Sequence, residues 1–288
     1  NSVLGAPGGF DRLPVRVVGN HRFVSISAGT AHSCAVDTQG AAWCWGSALL
    51  GRTGRLDELT GTTPFRVEAP GVVFTEISAG SDHTCAMDNT NTAWCWGSEE
   101  YGKLGNGALS WQDAPTPIAG TSGFTDIDAT GQRTCALRNT GAVFCWGEFA
   151  AGVTGVTSAA VPTQVTAPRP FVSMSTGNEH ACALEADGSA WCWGNGADGR
   201  LGGGGTVSSA APVRVGGSAL FSQMDVGGSH SCAIAPSGTF CWGDGSNSAI
   251  GDGGTTDALS PVLATGSALF RKISVGTEHS CALDTNGQ

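Results

Sequence analysis

An all-β propeller built of four-stranded blades is the fold this chain predicts, on three observations: a recurring phrase, strand-period alternation inside each copy, and glycines that fall at the same turns throughout. The phrase is Gly, two or three residues, usually His, then Cys-Ala, with a second Cys inside Cys-Trp-Gly in the first five copies. Its leading cysteines are Cys34, Cys85, Cys135, Cys182, Cys232 and Cys281, so the periods are 51, 50, 47, 50 and 49 residues. A period of that length marks one supersecondary unit copied along the chain. Residues 1–288 are therefore expected to form a single propeller domain with six blades visible and the last incomplete.

The fourth copy shows the elements in order. Phe171-Val172-Ser173-Met174-Ser175 alternates apolar with small polar residues, the period of a half-buried strand, and Gly177 ends it. His180-Ala181-Cys182-Ala183-Leu184 is a second strand, Ala186-Asp187-Gly188 a hairpin turn, and Ala190-Trp191-Cys192-Trp193-Gly194 a third. A Gly-rich loop, Asn195 to Gly205, leads to Pro212-Val213-Arg214-Val215, where proline is expected at the first residue of an outer strand. No segment carries a helical stripe, and Gly and Pro interrupt every candidate, so almost no helix is expected.

The pattern Phe-x-x-Ile-Ser-x-Gly-x-x-His-x-Cys-Ala-Leu, then Trp-Cys-Trp-Gly, then Gly-x-Leu-Gly, resembles the repeat of the regulator of chromosome condensation family. It is carried by Ile77 through Gly97 with Gly102-Lys103-Leu104-Gly105, and by Met174 through Gly194 with Gly199-Arg200-Leu201-Gly202. The resemblance covers essentially the whole chain and implies a bladed propeller, commonly of seven blades. It also implies roles as different as nucleotide exchange on a small GTPase, photoreception, extracellular receptor domains and secreted enzyme inhibition, among which a shared fold does not choose.

Within each complete copy the two cysteines flank a hairpin turn: Cys34 and Cys44, Cys85 and Cys95, Cys135 and Cys145, Cys182 and Cys192, Cys232 and Cys241. Directly opposed positions on neighbouring strands lie close enough for disulfides. Reduced, buried cysteines are the competing reading, and a zinc site is a weaker one because the spacing is not that of a Cys-x-x-Cys knuckle. Bridges are favoured because every complete copy has both cysteines and none has one. Five of them point to an oxidising compartment, so the protein is expected to be secreted, periplasmic or at the cell surface. Cys281 has no partner in the sequence given, and its copy stops in the turn at Asn286-Gly287-Gln288. At the other end, Val3 to Val17 reads as the tail of a blade, so the chain is expected to be a window of a longer protein.

His32, His83, His180, His230 and His279 occupy one repeat position, with Arg133 in the third copy. A metal site or pH sensor is one reading; hydrogen bonding to the backbone of the adjacent turn is the favoured one, since equivalent positions on separate blades need not converge. Trp45, Trp96, Trp146, Trp193 and Trp242 recur as blade-packing residues, and Trp43, Trp94 and Trp191 share their strand face, replaced by Phe144 and Phe240. The stretch from Asp244 to Gly253 faintly resembles a calcium loop but lacks the closing Glu, and reads as a connecting turn.

The chain carries 24 acidic and 14 basic residues, a formal charge of −10, and no basic run, which opposes nucleic-acid binding. No apolar stretch is long enough to span a bilayer. No catalytic motif nominates a nucleophile or base, so neither an enzyme nor a cofactor is expected. The leading expectation is an extracellular scaffold that binds a protein partner, or assembles with itself, through loops that depart from the consensus: 48–64, 98–115 and 148–162. Tyr101, Trp111 and Phe149 are the candidate binding residues there. A lectin-like carbohydrate binder and a secreted enzyme inhibitor are alternatives, and a GTPase exchange factor is the least supported. Arginine outnumbers lysine, and with no Asn-x-Ser/Thr sequon the composition suits a bacterial exported protein.

Overall fold

The computed structural model describes residues 15–55, 60–108, 110–148, 158–266 and 270–287. Over these residues the chain is all strand and loop, apart from four one-turn 3-10 segments. The first sheet holds β1 (Phe23–Ala28), β2 (His32–Asp37), β3 (Ala42–Ser47) and β4 (Thr60–Arg66). The second holds β5 (Phe74–Ala79), β6 (His83–Asp88), β7 (Thr92–Gly97) and β8 (Gln112–Ser122); the third holds β9 (Phe124–Thr130), β10 (Arg133–Arg138), β11 (Val143–Glu148) and β12 (Ser158–Gln164). Apart from Val143 and Gln164, these strands belong to one compact unit.

A second compact unit carries the remaining strands. Its first sheet is β13 (Phe171–Thr176), β14 (His180–Glu185), β15 (Ala190–Gly194) and β16 (Ser209–Arg214). The next is β17 (Gln223–Val226), β18 (His230–Ala235), β19 (Gly238–Gly243) and β20 (Ala258–Leu263), and the last is the pair β21 (Phe270–Val275) and β22 (Ser280–Asp284). Every four-stranded sheet is a meander in chain order, which is the blade the repeat predicts.

Proline does not begin the outer strand as expected. In β15–β16 the register runs Cys192 opposite Val213 and then Gly194 opposite Ser209, so Pro212 lies inside a bulge within the strand. Pro64, Pro115 and Pro261 fall in the same bulge of β4, β8 and β20. Proline has no N–H to give a ladder, and an edge-strand bulge is where a missing donor costs least.

In four sheets the two cysteines are directly opposed partners of the central hairpin: Cys34 with Cys44, Cys85 with Cys95, Cys182 with Cys192 and Cys232 with Cys241. Their Cα atoms are 4.0–4.1 Å apart, the close spacing of a non-hydrogen-bonded antiparallel pair. All four are bridged, as is Cys135–Cys145, and Cys281 is free and exposed. Four of the bridges are buried in hydrophobic clusters that join consecutive sheets of one unit. Trp96 packs in one cluster with the Cys34 and Cys44 pair, Trp146 with Cys85 and Cys95, and Trp242 with Cys182 and Cys192. The first strands of neighbouring sheets are also tied side chain to backbone: Ala79 N donates to Ser27 Oγ at 3.0 Å and Ala129 N to Ser78 Oγ at 2.9 Å in the first unit. In the second, Val226 N donates to Ser175 Oγ at 3.1 Å.

Under denaturing, non-reducing conditions one thiol per chain, that of Cys281, should react with Ellman's reagent; two or more would contradict the bridge pattern. Replacing Cys85 and Cys95 together by Ala should cost roughly 2.5–3 kcal/mol in a denaturant titration, the chain-entropy value for a loop of about ten residues.

Candidate interaction surface

The recurring histidines meet a partner that lies about fifty residues further on. His32 Nε2 is 2.7 Å from Thr84 Oγ1, His83 Nε2 is 2.8 Å from Thr134 Oγ1, His180 Nε2 is 2.7 Å from Ser231 Oγ, and His230 Nε2 is 2.8 Å from Ser280 Oγ. Each hydroxyl stands on the next sheet of the same unit, one residue after that sheet's own His or Arg. The hydroxyls of Thr84, Thr134 and Ser280 donate in turn to the carbonyls of Arg52, Lys103 and Ala249, at 2.7, 3.1 and 3.2 Å. A hydroxyl has one hydrogen, so with that hydrogen on the carbonyl it accepts from the histidine, which fixes Nε2 as the protonated nitrogen. Beyond the expected hydrogen bonding to backbone, these rings thus make a bond between sheets. In sequence, the third copy has Arg133 in place of His, and the fourth has Ala181 in place of the hydroxyl residue.

Burial holds three of these rings, His32, His83 and His230, neutral. Desolvation, followed by the Arg52 charge, brings His32 down to about 3 against the opposing pull of Asp82; desolvation and the Lys103 charge bring His83 to about 3; desolvation brings His230 to about 4. Among the described residues no group of three or more His, Cys, Asp or Glu side chains is placed to hold a metal ion. In the Asp244–Gly253 stretch, Asp244 accepts the Ser246 N–H at 2.8 Å and Asp252 the Gly254 N–H at 2.8 Å, so these carboxylates brace their own turns.

The tryptophans divide by task. Trp45, Trp96, Trp146, Trp193 and Trp242 are buried. Trp146 Nε1 donates to Lys103 O at 2.9 Å and Trp242 Nε1 to Arg200 O at 3.1 Å, so the indoles also grip the preceding loop. Trp43 and Trp94 instead donate to the hairpin carboxylates Asp37 and Asp88, at 2.8 and 2.9 Å. Where the sequence has Arg138 at the Asp position, Phe144 replaces the Trp and lies under the guanidinium at 4.6 Å. The Trp-to-Phe exchange therefore follows its polar partner as well as packing volume.

The loops after the third strand vary most between copies. Each 3-10 turn places its middle residue at positive φ: Leu50 at 59°, Tyr101 at 62°, Asp198 at 57° and Asn247 at 55°. Asp and Asn enter that region readily, whereas Leu and Tyr do so at a steric cost. In three of the four turns a glycine follows, Gly51, Gly102 and Gly199, and explains the geometry there; in the fourth the residue is Ser248, itself at a φ of 57°. A Cβ on Gly51 would stand 2.9 Å from Asp113 Cα, and one on Gly102 would stand 2.4 Å from Ala160 Cα, so each turn is pressed onto the outer strand of the next sheet. The next residue is basic and buried: Arg52 pairs with Asp82 at 3.0 Å, Lys103 bonds Gln132 Oε1, and Arg200 pairs with Glu179 at 2.8 Å.

On the first unit this arrangement leaves Leu49, Leu50, Tyr101, Trp111 and Val161 exposed. Tyr101 borders a groove of about 350 Å³ lined by Glu99, Glu100 and Gly102 of its own turn and by Ser158 and Ala160 of β12. Trp111, half-exposed, is not part of that lining; it immediately precedes Gln112 and Asp113, on which the Gly51 turn rests. Phe149 lies outside the described residues. The positive φ of Tyr101 and the groove beside it were not foreseen from sequence, although the Asp, Asn, Leu and Tyr set at one repeat position carried the signal.

A sequence profile described as the Regulator of chromosome condensation (RCC1) repeat matches residues 23–51, 74–103, 124–152 and 171–200, and a second of the same description matches residues 187–234. Human E3 ubiquitin-protein ligase HERC2 is 35% identical over 103 residues, which make up 35% of this chain and 2% of HERC2, so the chain spans a small part of that relative. Among solved structures, human WBSCR16 is similar with a TM-score of 0.84 at 22% identity, over 94% of this chain and 75% of that one. Prp20p of Saccharomyces cerevisiae is similar with a TM-score of 0.78 at 21% identity, over 91% and 68%. At such identities the two structures speak for the fold, a β-propeller of four-stranded blades.

The buried histidines give a pH dependence whose sign follows from their depressed values. Unfolding restores them to the ordinary range near 6.5, so their stability is present above that pH and is lost as pH falls toward about 3. Glu76, raised to about 8 by burial and by Asp126 and Asp128, acts oppositely and loses stability as pH rises from 4.5 to about 8. Near pH 5.5 these four groups together should make stability fall by about 2 kcal/mol per pH unit of acidification, and His83→Gln should roughly halve that slope. Urea titrations across pH 4.5–6.5 would show it; an unchanged slope in the variant would count against a neutral, locked His83.

Proposed function

The chain belongs to the regulator of chromosome condensation (RCC1) repeat family, and from that premise we propose that it is a non-enzymatic extracellular scaffold that binds a protein partner through its variable loops. One observation carries the reading. At a repeat position where the second unit has Asp198 and Asn247, the first has Leu50 and Tyr101, large side chains held at positive φ and left in solvent. Backbone strain with exposed apolar surface is costly to a solitary molecule and useful to one that docks. Relatives with this fold bind proteins: Prp20p binds Gsp1p and histones.

Two further features support the particulars. Five disulfides in one chain suit an oxidising compartment, which favours a secreted, periplasmic or cell-surface setting over a reducing one. Three of the recurring histidines, His32, His83 and His230, are held neutral by burial and engaged between sheets. That leaves binding rather than bond-making as the task of the exposed loops.

Replacing Tyr101, Trp111 and Phe149 together by Ala should abolish capture of partners from the extracellular fraction of the source cells. The unfolding midpoint should stay within the small range usual for surface changes, about 0.5 kcal/mol per site. Capture identical to that of the parent protein would overturn the loop assignment, and accelerated nucleotide release from a small GTPase would favour an exchange factor instead.

A further inference from the structure

The Tyr101 groove carries acidic side chains. Glu99 and Glu100 line it, and among the described residues neither takes part in an ion pair. The nearest cation in sequence, Lys103, is fully buried and bonded to Gln132 and paired with Asp82, and Glu100 and Glu99 act on its ammonium as charges weaker than Asp82. Tyr101, a residue exposed over 44% of its surface, lines the groove together with these carboxylates and the small residues Ala108, Ser158 and Ala160.

We propose that this groove is the docking site for a basic peptide segment of a protein partner, an extended stretch carrying lysine or arginine. The inference rests on reading the loop rim as a protein-binding surface and names the partner's chemistry. A cationic head placed over the Tyr101 ring is attracted by the face of the π system, and Glu99 and Glu100 supply opposite charge on the same side. The aliphatic stem of the long side chain lies along Ala108 and Ala160, the arrangement by which Lys and Arg cover apolar surface while their charge stays wet. A groove of about 350 Å³ is at the small end of ligand pockets, which suits one inserted side chain better than a folded surface. The chain's formal charge of −10 favours the approach of a basic segment and opposes that of an acidic one.

Tyr101 is the chain's single tyrosine, so biosynthetic 3-fluorotyrosine gives the intact protein one fluorine resonance at the groove. Titration with a short peptide of alternating lysine and alanine should move that resonance saturably, and the matching glutamate–alanine peptide and a neutral oligosaccharide should leave it in place. The affinity should fall roughly tenfold or more on raising salt to about 0.5 M, because the attraction is between exposed charges. It should fall by a similar factor in Glu99→Gln/Glu100→Gln, whose unfolding midpoint is checked against the parent; if that midpoint drops, Glu100→Gln alone replaces it. A resonance that ignores the lysine peptide, or moves equally in the glutamine variants, overturns the proposal. Loop-dependent partner capture with a silent resonance would overturn this inference alone, whereas loop-independent capture would overturn the broader reading.

Discussion

The hydrogen-bonded relay from histidine to hydroxyl to loop carbonyl is the interaction on which the rest of the architecture depends. A blade is stable along its strands through its ladder, but nothing in the ladder says how the next blade should sit. The relay supplies that instruction. His32 holds Thr84, and Thr84 holds the carbonyl of Arg52, so a strand of one sheet is clasped by both a strand and a loop of its predecessor. Because the ring is buried and neutral, the bond is made in a dry setting where an alternative partner is absent and misplacement leaves a polar group unsatisfied. The loop thus anchored then has a fixed tip, and the tip is where Leu50 and Tyr101 reach solvent.

Much of this was legible in the sequence because the repeat is strict where backbone or packing demands it. The order of strands, the cysteine pairing and the buried indoles all follow from local spacing within a copy. What escaped was whatever joins one copy to the next. The partner of His83 is Thr134, fifty-one residues away, and no local rule points to it. A signal did exist. A Ser or Thr follows the His position in five copies, and the copy with Ala181 comes directly after the copy with Arg133. The exchange of Trp43 for Phe144 was likewise read as volume alone, when the Asp37-to-Arg138 change on the same hairpin accompanies it. Pro212 was placed by a rule about strand ends; its true position depends on a bulge, which is a property of two strands in register and invisible in one.

The candidate surface was half legible for a related reason. Departure from consensus located the loops and the aromatic residues on them, and Trp111 and Tyr101 are indeed exposed. The groove required knowing that the turn leans on β12, which Gly102 permits by having no side chain to collide with Ala160. Departure from a repeat shows where a scaffold is free to vary, whereas the shape that variation takes is set by the neighbour it leans on.

All five disulfides close short hairpins within a sheet and none ties one sheet to another. Seen mechanically, the covalent network is local and the cohesion between blades is entirely noncovalent. A pull on the two ends of the chain would be resisted by packing and hydrogen bonds alone, and blades would give way as separate events. Each bridge would withhold about ten residues from extension, on the order of 35 Å of contour length. The hairpin at the heart of every torn blade would survive as a closed loop, ready to seed the same sheet once the tension was released.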